Sequence, residues 1–498
     1  MIGTYVNPFQ TSFLSNYTTN TSGSGSLMST GVINVSQLVT QLMNAQSQPL
    51  TALQHQLSGI QTTLSAYGQL QSSVSSLQTA AQTLSSPSAF QAAQATVTGT
   101  GVAATVTGTP ATANYSIGVS SIAQAQSVFS SPVSDPTALN MGTGTLAIQM
   151  GSLSGSTFTG SGSAINVSIT SSNDSLNGIA AAINAAASGS VNASVVTDAS
   201  GSRLVLSSAN TGLSNAFSVT STGASGTGLA GIAFNPASPS TSPSSTAMGE
   251  SQAAADANFT VNGLALSSAS NTVTSAIQGV TLNLTQPTPS GAPAQVAIGS
   301  NVTAITNSVV SFLQAYNNYV AINNNLTAYN PQSNTASILT GDSAAMQASN
   351  SLQAIMASAT TAGGSSSYSY LAQIGVTFNS DGSLSLNQAQ FQSALSANPS
   401  AVSAMFTQGG TGASAGFAFQ VANMATQLTG PTGAIGSAES SANNEITNLN
   451  TQISSEQSML AQIKQNMIAQ YSQLNANLVL AQQTQASLYT QLAALPGG

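Results

Sequence analysis

Catalysis needs a proton donor or acceptor, a nucleophile or a metal ligand held beside a partner. The 498-residue sequence offers few such groups. Its single histidine, His55, lies between Leu53 and Leu57, and residues 35–86 contain no acid to orient it. General-base work needs a positioned partner, so His55 reads as a solvated or packed residue on a helix flank. The acids Asp135, Asp174, Asp198, Glu250, Asp256, Asp342 and Asp381 are spread singly. Asp174 and Asp342 precede helical runs and read as caps, and Asp381, before Gly382, reads as a turn residue. Two distant acids could meet as a glycosidase pair, but nothing in their spacing favours one. No calcium loop of alternating acids occurs. The glycine-rich run 151–162 lacks the lysine and the strand–helix setting of a phosphate loop. With no cysteine there are no disulfides, thiolate metal sites or cysteine nucleophiles. The expectation is a protein that is not an enzyme and uses no metal and no cofactor.

Composition narrows the classes further. Two basic residues, Arg203 and Lys464, stand against ten acidic ones, giving a net charge of −8 with only 2% of the chain charged. About 25% is usual. Such a chain has no basic patch for phosphates, so nucleic acid is not an expected partner. No apolar run approaches the ~18 residues of a membrane helix, so no membrane insertion is expected. At 41% apolar residues the chain can still bury a core. Its length suits about three domains. A surface of hydroxyls and amides keeps its hydrogen bonds as pH changes, which predicts a protein for acidic or otherwise harsh surroundings.

The strongest periodic signals lie near the two ends. After Asn34 or Ser36 as a cap, apolar residues fall at Leu38, Leu42 and Ala45. Pro49 predicts a break near residues 46–49. The series resumes at Leu53, Leu57, Ile60, Leu64, Tyr67, Leu70, Val74, Leu77, Ala81 and Leu84, and Pro87 ends it. The far end reads Ile446, Leu449, Ile453, Leu460, Ile463, Met467, Leu474, Leu478, Ala481, Leu488 and Leu492, with Gln457, Tyr471 and Gln485 at intervening seam positions. Steps of three and four mark the seam of a coiled coil. An amphipathic helix needs a partner for its stripe. The economical pairing is antiparallel, one terminal helix against the other, with an ordinary helix bundle as the alternative. Flanking positions carry Gln, Ser, Thr and Asn, so side-chain shape rather than salt bridges must set the register.

Between them the period changes to two. Strands are predicted at 103–107, 115–119, 146–150, 165–169, 191–197, 203–207, 259–266 and 280–284. A short helix follows Asp174-Ser175, and 230–249 reads as a Pro/Ser-rich linker or long loop. The helical period returns over 302–326 and 342–357. A hairpin follows, with Val376–Asn379 and Leu384–Leu386 joined through Asp381-Gly382, then short helices over 388–395 and from Asn398-Pro399. The first 34 residues, Ser/Thr-rich and punctuated by Gly3, Pro8 and Gly23, read as a tail without helical periodicity. They lack the basic and apolar regions of a secretory signal, so export would need another route.

Placed in this order, the pieces resemble the flagellar hook-associated protein 2 family, the filament cap. The resemblance rests on Asn34-Val35-Ser36-Gln37-Leu38-Val39, Gln41-Leu42-Met43, Pro49-Leu50 and Ser65-Ala66-Tyr67-Gly68-Gln69-Leu70 near the start. In the middle it rests on Tyr115-Ser116-Ile117, Ala123 to Ser127, Phe259-Thr260-Val261-Asn262-Gly263 and Gly279-Val280-Thr281-Leu282. Ala315-Tyr316-Asn317, Ile374-Gly375-Val376 and Asp381 to Leu386 complete it. The resemblance implies an α+β multidomain fold. Residues 34–48 and 460–498 would form a coiled-coil leg, and 49–91 with 299–459 a helical domain with a β-hairpin. Residues 92–135 with 246–298 would make a β-rich head domain, into which 136–245 is inserted as a second head domain; 1–33 would be a disordered tail. It implies a structural cap at the distal tip of the flagellum, outside the cell, that retains exported flagellin and promotes its polymerisation. Its partners would be further copies of itself in a ring, five being the usual number, flagellin, the hook-filament junction protein, and the flagellar type III export apparatus with its chaperone. The self-assembly and filament-facing coil would use Leu38, Leu42, Leu53, Leu57, Ile60, Leu64, Tyr67, Leu70, Ile446, Leu449, Ile453, Leu460, Met467, Leu474, Leu478 and Leu488. A flagellar-tip adhesin acting through the head domains is the alternative. The chain departs from the family in its longer tail, its nearly uncharged legs and its divergent head.

Overall fold

Asn34 starts the first helix as expected. Its Oδ1 accepts from Gln37 N at 3.1 Å, capping α1 (Val35–Gln46). The computed structural model describes residues 28–29, 32–364 and 368–493. The predicted tail lies almost wholly outside them; within it Met28–Ser29 pairs with Val32–Ile33. At Ser47 the chain breaks, and α2 (Gln48–Ser85) begins with Pro49 in its first turn, where a missing N–H costs nothing. α2 stops just ahead of Pro87.

Sixteen strands, one long helix and three short helical turns follow. The strands are β1 (Ala93–Thr98), β2 (Val102–Val106), β3 (Ala113–Ser121), β4 (Ser127–Phe129), β5 (Gly144–Ser154), β6 (Thr157–Gly160), β7 (Ile165–Ile169), β8 (Val191–Asp198), β9 (Gly201–Ser208), β10 (Ala216–Thr222), β11 (Gly249–Gln252), β12 (Ala257–Val261), β13 (Leu264–Ser268), β14 (Thr272–Ile277), β15 (Val280–Leu284) and β16 (Ala294–Ser300). Helix α3 (Leu176–Ala187) sits between β7 and β8. All named pairs are antiparallel. Two sheets, ordered β13-β12-β3-β16-β1 and β14-β15-β2, enclose one apolar cluster around Ile117, Phe259, Leu282 and Val296. Two more, β8-β9-β4-β11 and β10-β5-β6 with β7 also on β5, enclose a second cluster with α3 around Ile148, Ile179, Leu204 and Phe217. The second cluster is built from a chain segment inserted between β3 and β12, and it includes Val128 and Met248.

Two expectations in this region change. The run 259–266 is two strands, because Asn262 (φ 50°) and Gly263 (φ 85°) form a two-residue hairpin turn. Of the two readings of 230–249, the long loop holds and the free linker does not: Ile232, Phe234 and Met248 are buried in the second cluster.

The remaining elements are helical apart from two short strand pairs and two 3-10 turns. They are α4 (Val302–Thr327), α5 (Ser343–Ala357), the hairpin β17 (Val376–Phe378) and β18 (Leu384–Leu386), α6 (Gln388–Ala397), α7 (Pro399–Thr407), α8 (Phe417–Thr429) and α9 (Ala434–Ala493). The sequence reading missed α8, although Ala418, Val421, Ala422, Ala425 and Leu428 recur at helical spacing and are all buried. The chain divides into two compact units. One comprises Met1–Ser85, Val310–Phe391 and Ser400–Gly498, the other Ser86–Val309 and Gln392–Pro399. The first unit packs α2, α5, α8 and α9 together, with Leu70, Leu77, Tyr316 and Phe417 fully enclosed.

Candidate assembly surface

The long seam of α2 is anchored at its C-terminal half. Leu70, Val74, Leu77, Ala81 and Leu84 are 0–1% exposed, because α8 packs there as well as α9. Gln78 Nε2 donates to Thr426 Oγ1 at 2.8 Å across the α2–α8 contact. Towards its N-terminus α2 runs beside α9, with Gln56 Nε2 donating to Glu445 Oε1 at 3.5 Å. α1, which precedes α2, also packs on α9. The pair is therefore antiparallel, as the two stripes require.

Burial along the predicted coil falls into three zones. Tyr67, Leu70, Leu449, Ile453 and Leu460 are buried. Leu38, Leu42, Leu53, Leu57, Ile60, Leu64, Ile446, Met467 and Leu478 are half-buried, as expected of a two-helix pair with no third layer. Leu474 and Leu488 are exposed, at 44% and 57%, together with Val479, Leu480 and Tyr489. The sequence reading missed Val39, which is 1% exposed, because it stands beside the leucine steps rather than on them. It also missed Met459, an exposed apolar residue facing solvent at 47%.

Tyr67 joins this seam to the helical layer. Its hydroxyl donates to Asp342 Oδ2 at 2.6 Å, while Asp342 Oδ1 accepts from Ala345 N at 2.9 Å and caps α5. Burial, then Asp342, hold the Tyr67 hydroxyl well above its ordinary pKa. Asn317 clamps the hairpin to α4, accepting from Leu384 N and donating to Leu384 O.

The other titratable side chains serve local geometry. His55 lies exposed on α2. Asp381 accepts from Ser383 N and Oγ in its turn. Asp135 does the same for Thr137. Arg203 pairs with Asp198 at 3.0 Å and lies over the Phe129 ring. Asp174 does not cap α3; Ser175 does, its Oγ accepting from Gly178 N. Asp174 is instead buried with one carboxylate oxygen unpartnered. Among the described residues, no three His, Asp or Glu side chains are grouped closely enough to hold a metal ion. No helix among them is long and apolar enough to cross a membrane.

Comparison with known proteins gives this arrangement its context. Residues 32–126 match the model of the flagellar hook-associated protein 2 N-terminus, and residues 254–483 match that of its C-terminus. A flagellar hook-associated protein 2 from Escherichia coli (strain K12) is 30% identical over 426 residues, covering 82% of this chain and 86% of the relative. The chain belongs to the flagellar hook-associated protein 2 family. The B-type flagellar hook-associated protein 2 of Pseudomonas aeruginosa is 29% identical over 392 residues, 77% of this chain and 79% of that protein. The crystal structure of the D1-D2-D3 domains of the Escherichia coli flagellar cap protein FliD superposes with a TM-score of 0.56 at 30% identity, covering 76% of this chain and 99% of that one. Membership makes this a structural flagellar cap protein and not an enzyme. The adhesin alternative gains no support from these matches. The two family models flank residues 127–253, which hold the inserted sheets and the divergent sequence.

Proposed function

We propose that copies of this protein assemble into a ring at the distal tip of the flagellum, outside the cell, where they retain exported flagellin and promote its polymerisation. The observation that carries this reading is the half-buried stretch of the antiparallel pair. Leu53, Leu57, Ile60 and Leu64 are half-buried on a helix that packs against α9, and Met459 is open to solvent. Apolar area left at such positions favours association by about 25 cal/mol per Å² covered. Residues 35–86 carry no formal charge, so a neighbour approaching on the α2 side meets no ion of that helix, although Glu445 of α9 lies beside Gln56. Five subunits, contact with the hook-filament junction protein, and passage through the type III export apparatus with a chaperone belong to the same proposal by kinship. The domain limits set out from the sequence, with 34–48 and 460–498 as the leg, are part of it as well.

Electron microscopy of the purified full chain tests the ring directly: closed rings with legs are expected, and monodisperse single subunits at high concentration would refute it. Deleting the gene tests the role. A strain without the cap sheds unpolymerised flagellin and makes no filaments; a strain that kept its filaments would rule the role out.

A further inference from the structure

The two strand-built clusters lie in one compact unit, and the chain passes between them twice. It leaves through 123–128 and returns through 248–257, since Ala123 and Ala257 belong to the first cluster and Val128 and Met248 to the second. A hinge needs a connection whose backbone is free to turn. Here the two passes are bonded to each other and clamped from both sides. Gln124 N donates to Ala255 O at 2.8 Å, and Ala255 N donates to Gln124 O at 3.2 Å. From the first cluster Asn271 holds Ala123, accepting from its N at 2.7 Å and donating to its O at 2.9 Å. From the second, Gly212 N donates to Gln124 O at 3.0 Å and Ser208 N donates to Gln126 O at 2.9 Å.

The Gln126 side chain is 0% exposed at the centre of this crossing. Its Oε1 accepts from Phe217 N at 2.7 Å, and its Nε2 donates to Glu250 Oε1 at 3.2 Å. Phe217 lies on β10 and Glu250 on β11, so one amide holds both sheets of the second cluster. Asp256 acts on the return pass, its Oδ1 accepting from Leu213 N at 2.7 Å. Gln126 and Asp256 fall inside the stretches matched by the family models, which stop at 126 and resume at 254, whereas Leu213 and Phe217 fall in the divergent stretch between them. What that stretch offers to the two acceptors is main-chain N–H, a group that every residue except proline carries. Ser208, Thr211 and Glu250 add side-chain bonds of their own. We infer that Gln126 and Asp256 form a socket that mounts the inserted cluster by its backbone at a fixed angle. The two clusters then move as one rigid body, while the sequence of the insert is free to vary. Bending the joint would leave desolvated N–H groups without acceptors, which the fold resists. Both are positioning residues, and their task is independent of ring formation.

The lack of native cysteine allows spin labels at chosen positions. Two full-length chains are labelled at exposed sites: Thr96→Cys with Ala185→Cys, one site in each cluster, and Thr159→Cys with Ala185→Cys, both in the second. The labelled chains are diluted into excess unlabelled protein, so association between copies adds no distances. Double electron–electron resonance should give the cross-cluster pair one distance distribution, as narrow as that of the internal pair. Adding Gln126→Met, which keeps the length of the side chain without its amide, should roughly double the cross-cluster width and leave the internal pair unchanged. Asp256→Ala should do the same, and Asp256→Asn, which keeps an Oδ1 acceptor, should restore the parental width. A general loss of stability would broaden both pairs together. A parental cross-cluster distribution that is broader than the internal one, or split in two, overturns the rigid mount. Unchanged widths in Gln126→Met and Asp256→Ala overturn the role of the two residues. Should Gln126→Met disturb the internal pair as well, Asp256→Ala and Asp256→Asn decide the question, because Asp256 stands outside the core of the second cluster.

Discussion

Tyr67 and Asp342 are 275 positions apart in the chain, yet the phenol hydroxyl and the carboxylate meet at 2.6 Å. The contact falls where the α2 seam passes from half-buried to enclosed: Leu64 is half-buried and Leu70 is 0% exposed. Asp342 spends one oxygen on the α5 cap and the other on Tyr67, so a single carboxylate fixes both the start of α5 and its station on α2. In a chain with ten acids, this one has a structural task that Ser or Asn could fill only in part, since neither offers a charged acceptor.

Removing either partner should therefore cost stability. Asp342→Ala loses a helix cap, about 0.5–2 kcal/mol, and leaves the Tyr67 hydroxyl without its acceptor, about 1–3 kcal/mol more. Tyr67→Phe removes only the bond, about 1 kcal/mol. Denaturant melts of both single variants and the double should show a coupling energy above about 0.5 kcal/mol. Strict additivity would mean that the bond contributes nothing.

The pH profile should fall on the alkaline side and stay shallow on the acid side. Burial pushes the Tyr316 hydroxyl up to about 12, and holds those of Tyr67 and Tyr319 well above their ordinary value. Raised pKa values favour the neutral form in the fold. Their contribution is complete below the unfolded value of about 10 and is lost as pH climbs from there towards 12 and beyond. Asp135, Asp198 and Asp381 are shifted the other way, each held low by hydrogen bonds in its own turn, or for Asp198 by Ser200 and then Arg203. That contribution is present above about 3.9 and fades as pH falls below it. Burial raises Glu439, which gains as pH falls and offsets part of the loss. Between pH 7 and pH 4 the Tm should therefore stay nearly constant, as thermal melts across that range would show. A collapse near pH 4 would show that the few acids hold the fold together. Tyr67→Phe should flatten the fall above pH 10.

The helices were largely legible, because large apolar residues recur at three and four along α2, α4 and α9 and the breaks carry Pro49, Pro87 and Pro399. Strands β7 and β15 were legible from Ile, Val and Leu at alternate positions. Strands such as β1, AQATVT, escaped because Ala, Gln and Thr supply their alternating burial, with little contrast between faces. The hairpin at Asn262-Gly263 was legible but overlooked: Asn-Gly is a favoured two-residue turn, and across it the apolar positions shift from odd (Phe259, Val261) to even (Leu264, Leu266). The Tyr67–Asp342 bond has no local signature at all. Neither does the choice of Ser175 over Asp174 as cap, since both residue types are good caps and only the burial of Asp174 separates them.

Gly212 should resist substitution. Its φ is 99°, and a Cβ there would stand 2.5 Å from Ala269 Cβ and 2.6 Å from Ala269 Cα. On either side Thr211 Oγ1 donates to Ala269 O and Leu213 N donates to Asp256 Oδ1. This loop thus ties the inserted sheets to the β12–β14 region of the first cluster. Gly212→Val should break the contact and expose the connections near Gln124 and Ala255 to protease, with at least a several-fold increase in cleavage rate. Each cluster should keep its own buried core. Cleavage unchanged from the parent would show that the paired connections alone hold the two together.

The last prediction separates folding from assembly along one seam. Leu77 is 0% exposed and belongs to the enclosed half of α2, whereas Leu57 is half-buried towards the other end of the same helix. Leu77→Ala removes a fully packed side chain and should destabilise the subunit by about 2–5 kcal/mol. Leu57→Asp places a charge where water is still within reach, so the subunit should melt within about 1 kcal/mol of the parent. If a neighbouring subunit covers this stretch, that same charge becomes buried on association without a partner, a heavy penalty. Leu57→Asp should then abolish rings in electron micrographs and filament growth in complemented cells while leaving the melt almost unchanged. Leu64→Asp, at the edge of the enclosed zone, should show both effects. Normal rings from Leu57→Asp would remove this stretch from the assembly surface, and an unfolded Leu57→Asp subunit would show that the two-helix pair is part of the fold's core.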